Sequence, residues 1–218
     1  MDILITDVTQ MHAGNFCVAG WCHAQKRMIR PLPRGRNWTA ELLQRFGVRP
    51  GTVLRIAPAG EANGTYPHRT EDTPVSAGRK ISAGFSAWLG PNAPTAADSL
   101  EDAFGGNLRS NGVSNDVLKG AHIAAGTRCG SLAAIHAFRN RLSFFEDFEK
   151  LKAVLNDGRT RYRLPVSSDA LRTAWKEGGL AAVRRALPNR DILHVRVGLA
   201  RPFGDQPDKC YLMLNGVL

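Results

Sequence analysis

Apolar residues in this chain come in short runs, and the runs fall into two similar groups. Residues 2–9 (DILITDVT) are rich in β-branched side chains and predict a strand. Residues 15–21 (NFCVAGW) predict a second, and 27–30 (RMIR) a third that Pro31 and Pro33 should stop. Residues 39–46 (TAELLQRF) read as a short helix capped by Thr39, with Gly47 just past its end. A Pro-Gly turn then opens a strand within 48–58. The second group begins after Gly130. Strands are expected at 131–138, 141–147 and 151–156, and a turn at Asn156-Asp157-Gly158 sends 160–166 back as a fourth. Residues 167–187 carry the clearest helix, capped by Ser168 or Asp169, with Leu171, Trp175, Leu180, Val183 and Leu187 as its apolar stripe and a possible break at Gly178-Gly179. Strands at 192–203 and 209–218 complete the group.

Between the groups, residues 58–128 are dense in Gly, Ala, Asn, Ser and Pro. Short helical pieces are expected at 84–89 and 98–104 and an exposed loop at 108–115. Several strands, one helix and further strands, stated twice, predict a mainly β chain with a few helices (α+β). The expected architecture is two OB-like small β-barrels packed together. The N-terminal half would span 1–125 with a long loop-rich insertion, and the C-terminal half 126–218. A single larger barrel or a PUA-like fold fits the same rhythm. Arg30-Pro31-Leu32 and Arg201-Pro202-Phe203 each follow a strand, a faint echo between the halves.

Charge sharpens this picture. The 218 residues carry a formal net charge of +10, and only seven of the 29 basic residues are lysines. A GC-rich coding sequence would favour arginine as well, but it does not account for the net charge. Such an excess attracts polyanions. Residues 26–55 concentrate it, with eight basic residues against the single acid Glu41. No basic-then-apolar leader opens the chain, and no apolar run approaches the ~18 residues that span a bilayer, so a cytoplasmic protein without membrane attachment is expected. The four cysteines (17, 22, 129, 210) contain no C-x-x-C pair and read as reduced thiols. No metal or cofactor is expected.

Several chemistries are excluded by pattern. No lysine follows a glycine, so no P-loop occurs, and there is no G-x-G, G-x-S-x-G, H-E-x-x-H or zinc-deaminase signature. What remains is mostly binding chemistry. Arg30, Arg34, Arg36 and Trp38 offer guanidinium forks for phosphates and a ring for stacking on a base. His68, Arg69, Arg109 and Arg201 are further candidates. Arg159, Arg161 and Arg163 flank Tyr162 at period two and should share one strand face, a second basic surface with Arg196 and Arg201. His68, Glu71 and Asp72 are the residues of an enzymatic alternative, a nuclease or base-modifying centre, against which local ion pairing competes. Cys129, beside Arg128, reads either as an activated thiol or as the start of a buried strand.

Three segments carry a family likeness. NFCVAGWCHAQKRMIRPLP, HRTEDTPV and HVRVGLARPFGDQPDKCYLMLNGV resemble, respectively, the opening, the H-x-x-E-D element and the closing segment of bacterial proteins with a dual OB-containing domain. The likeness spans nearly the whole chain outside its glycine- and alanine-rich middle. It implies two OB folds and a nucleic-acid-binding role, with DNA or RNA as partner, and carries over no catalytic residues. An acidic protein partner for the basic face, or a homo-oligomer, is the other expectation.

Overall fold

A computed structural model describes residues 1–61, 64–83 and 96–218. It is mainly β and divides into two compact units, Met1–Gly64 with Arg69–Thr95, and Thr65–His68 with Ala96–Leu218. The first unit contains β1 (Asp2–Gln10), β2 (Asn15–Cys22), β3 (Arg27–Pro33), the two-residue β4 (Trp38–Thr39), α1 (Ala40–Phe46), β5 (Thr52–Pro58) and β6 (Asp72–Ala83). β1 pairs antiparallel with both β2 and β5; β5 pairs antiparallel with β6, β6 parallel with β3, and β3 antiparallel with β2. The succession of pairings therefore returns to its start, and β4 adds an edge to β2. Ile3, Ile5, Val18, Ile29, Leu54 and Ile56 point into the core so formed. Gly20 lies where β2 crosses β1 closely: a Cβ there would run into the Leu4 carbonyl oxygen. The helix begins and ends as its sequence requires, Thr39 Oγ1 accepting from Leu42 N at 3.3 Å and Gly47 turning left-handed at φ +58°.

Two expectations are corrected here. Pro31 and Pro33 do not stop β3, which runs on to Pro33. Arg30 N donates to the Glu71 carbonyl and Arg34 N to that of Val75, so the donors facing β6 fall on even-numbered residues. The prolines occupy the odd ones, where no N–H toward β6 is needed. The second correction is β6 itself, twelve residues (DTPVSAGRKISA) inside the segment read as loop. It lacks an apolar period, and its extended form comes from β5 on one side and β3 on the other. The helix expected at 84–89 lies outside the described residues.

The second unit contains α2 (Leu100–Ala103), the short strands β7 (Gly112–Ser114), β8 (Val117–Lys119) and β9 (His122–Ala124), then β10 (Leu132–Phe138), β11 (Leu142–Asp147), β12 (Lys150–Asn156), β13 (Arg161–Pro165), α3 (Asp169–Ala186), β14 (Ile192–Leu199) and β15 (Lys209–Val217). A single turn at Arg139–Arg141 separates β10 from β11. β10 pairs with β14 and β14 with β15; β11 pairs with β12 and β12 with β13. A parallel bridge between Val166, just beyond β13, and Leu214 of β15 joins the two series. β9 extends the first series beyond β15, and β8 and β7 extend the second beyond β13. α3 is capped by Ser168 and interrupted at Gly178 and Gly179, the latter at φ +61°.

The division at 125/126 is also corrected, because residues 96–125 belong to the second unit. Leu100, Phe104, Ala121 and Ile123 are buried in one core with Leu155, Leu164, Val195 and Leu212. Asp157 ties the predicted turn to α2: its Oδ1 accepts from Arg159 N and Thr160 N, and its Oδ2 accepts from Leu100 N. No helix among the described residues is long and apolar enough to cross a membrane.

Two acidic groups in this core report on its integrity. Burial, with Cys129 alongside and against the pull of Arg201, pushes the Cys210 thiol up to about 11. Burial and the nearby Asp157 push the Tyr162 phenol up to about 12. Both hold their protons longer folded than unfolded, so the unfolded chain gains stability as pH rises past the ordinary thiol value of 9.0. The thermal midpoint is expected to fall between pH about 8 and about 10, before either native group ionises. An unchanged midpoint over that interval would contradict the burial of these groups.

Candidate nucleic-acid interface

The loop from β3 to β4 is short and tightly bonded. Arg34 adopts a left-handed φ of +49°, Gly35 follows at +73°, Gly35 N donates to the Leu32 carbonyl and Arg36 N to that of Pro33. The side chains of Arg34, Arg36 and Asn37 are exposed as a result. Arg45 reaches the same place from α1, its guanidinium carbon 5.7 Å from the centre of the Phe46 ring. These residues edge a groove of about 720 Å³ whose apolar wall includes Trp38, Leu42, Phe46, Ile56 and Val75. Among the described residues no carboxylate lines it. None of the three arginines has an ion-pair partner among the described residues. Each guanidinium keeps its five donors for an incoming anion.

Two of the expected contacts are structural instead. Trp38 is only 2% exposed; its Nε1 donates to the Pro31 carbonyl at 2.7 Å, and its ring meets Phe46 edge-on at 6.2 Å. It walls the groove rather than presenting a face for stacking. Arg30 is 4% exposed, and its Nη1 lies 2.8 Å from Asp72 Oδ1. Burial opposes its charge, but Cys17, Asp72 and Glu71 nearby and the hydrogen bond to Asp72 outweigh that, and its pKa rises. The Arg-Pro-Leu segment supplies a core ion pair here.

The remaining candidates do not gather at the groove. His68 is buried in the second unit, where its Nε2 donates to the Leu199 carbonyl at 2.9 Å, a correction to its expected role as a surface contact. Glu71 and Asp72 are buried in the first unit, Asp72 committed to Arg30. Among the described residues no group of three or more His, Cys, Asp or Glu side chains is placed to hold a metal ion. Arg69 is exposed in the first unit, Arg201 is half-buried, and Arg109 is exposed in a single-residue bridge opposite His122. Arg128 lies over the Tyr66 ring at 5.7 Å, and Cys129 is half-buried between strands.

The period-two arginines do form a face, with different members. Strand register puts Phe145 opposite Lys152, Val154 opposite Arg163 and Asn156 opposite Arg161. The Arg163 guanidinium stands 5.1 Å over the Phe145 ring and 2.6 Å from Asp147 Oδ2. Burial lowers the pKa of Lys152, with Lys150 and Arg163 adding to the effect and Asp147 opposing it. Arg159 pairs with Asp102 instead, and Arg196 is 1% exposed, so neither joins this surface. Sequence reasoning missed Lys152 and Phe145, which come from neighbouring strands, and counted Arg45 only as one of the basic residues of the 26–55 stretch. Only the alternation of Arg161 and Arg163 pointed toward the face. Comparison of the chain with family models, with curated proteins and with solved structures finds no match.

Proposed function

We propose that this chain is a nucleic-acid-binding protein whose two units are OB-type barrels, with the groove beside α1 as its principal anion-binding surface. The connectivity supports the barrels. In the first unit five strands pair in the order β1-β5-β6-β3-β2 and back to β1, with α1 between the third and fourth in sequence and a parallel contact between the third and fifth. In the second, β10 and β11 act as one bent first strand, α3 again precedes the fourth, and the parallel bridge of Val166 with Leu214 joins third to fifth. Five strands in a Greek-key barrel are the OB pattern, whose faces and loops take oligonucleotides.

One observation carries the functional reading: Arg34, Arg36 and Arg45 converge on a groove that no carboxylate lines among the described residues. Guanidinium groups without internal partners suit phosphates, and each phosphate neutralised releases condensed counterions. The enzymatic alternative draws no support from Asp72, which is neutralised by Arg30. Labelled single- and double-stranded DNA and RNA, titrated at low and high salt, are expected to give saturable binding that weakens steeply with salt to at least one polymer. No saturable binding to any of them at low salt would sink the proposal. An acidic protein captured equally well after nuclease treatment would favour the protein-partner reading.

A further inference from the structure

The second unit carries an aromatic cluster that the arginine groove does not involve. β9 pairs with β15 so that His122 faces Tyr211 across the ladder, and Arg109 forms an antiparallel bridge with His122 on the other side. Directly opposed residues stand on the same face of a sheet, so Arg109, His122 and Tyr211 form one row. The Tyr211 ring centre lies 5.5 Å from that of His122 and 6.2 Å from that of Phe203, which is 59% exposed in the turn before β15.

Polar groups hold this row in place and leave specific donors and acceptors. Asn111 Nδ2 donates to Tyr211 Oη at 3.1 Å, and Tyr211 Oη donates to Gln206 Oε1 at 3.4 Å, so the phenol is oriented from both sides. The buried His122 donates from Nδ1 to the Gly120 carbonyl at 2.8 Å, which leaves Nε2 with its lone pair. Asn111 keeps its Oδ1 as an acceptor, and the exposed Arg109 keeps its fork of donors. Asp205 and Asp208 lie in the turn that carries Phe203. Such a site is poor for a run of phosphates and well matched to a flat, uncharged, hydrogen-bonding ring.

We propose that Phe203 and Tyr211 stack an unpaired nucleobase whose edge is read by Arg109, Asn111 and His122. This rests on the nucleic-acid reading and adds to it a preference for single strands with an accessible base. The experiment compares the full chain binding a single-stranded DNA oligomer with its binding to an abasic oligomer of the same length and charge. Loss of one stacked base is expected to weaken binding about tenfold. Phe203→Ala should abolish that preference while leaving affinity for the abasic strand unchanged. Phe148→Ala, which removes a phenylalanine 90% exposed at the β11–β12 turn, should keep it. Equal binding of both strands by the parent chain, a preference that survives Phe203→Ala, or its loss in Phe148→Ala would each overturn the site. Absence of binding to either strand would overturn the site, and absence of binding to RNA and duplex DNA as well would overturn the nucleic-acid reading with it.

Discussion

Arg30→Met is expected to destabilise the protein by about 3–5 kcal/mol, the range for stranding one partner of a buried ion pair. The side chains of Arg30 and Asp72 are 5% and 2% exposed, so water does not take over the solvation of whichever charge remains. Asp72→Asn should cost a similar amount, because it leaves the guanidinium without its partner charge. The double replacement Arg30→Met with Asp72→Leu should recover much of the loss, since no pair member is left charged and the volume stays filled. Urea unfolding followed by tryptophan emission distinguishes these cases. A loss below about 1 kcal/mol for Arg30→Met would place the pair among solvent-screened surface bridges. Folded Arg30→Met should bind nucleic acid as the parent does, because Arg30 does not reach solvent.

The triple variant Arg34→Ala, Arg36→Ala, Arg45→Ala tests the groove with the opposite signature. All three side chains are exposed, so the thermal midpoint should hardly move. Affinity for a single-stranded oligonucleotide should fall roughly a hundredfold at low salt, as contacts to three phosphates are lost. The plot of log affinity against log salt should become shallower by about 2 to 3, close to one counterion per arginine. An unchanged slope would mean that phosphates dock elsewhere, with the face of Lys152, Arg161 and Arg163 next to be substituted. An unchanged slope together with unchanged affinity would remove the groove from the binding surface.

The elements most legible in the chain were those whose cues are local. α3 announced itself through its apolar stripe, the Ser168 cap and the Gly178-Gly179 interruption, all of which act within a few residues. α1, with Thr39 before it and Gly47 after it, was equally plain. β6 was hidden for the converse reason: a strand containing Pro74 and Gly78 is extended because β5 and β3 flank it. The site divides in the same way. Arg34 and Arg36 were recognisable because a Pro-Arg-Gly-Arg-Asn loop has little chance of being buried. Arg45, nine residues further on, joins them only because α1 folds back beside the end of β3.

Composition and spacing were enough to establish a mainly β chain, the positions of its principal helices and a cationic stretch over residues 26–55. Those properties depend on backbone preferences and on charge, which each residue carries wherever it is placed. Which cations face solvent is another kind of question. Arg30 and Arg34 are four residues apart with the same side chain, yet one is sealed against Asp72 and the other stands at the edge of a groove. Asp72 lies 42 positions away in sequence from Arg30, and only the parallel pairing of β3 with β6 brings it there. Burial and partnership are properties of the packed chain, so tertiary structure alone separated the arginines that hold the fold from those free to meet a phosphate.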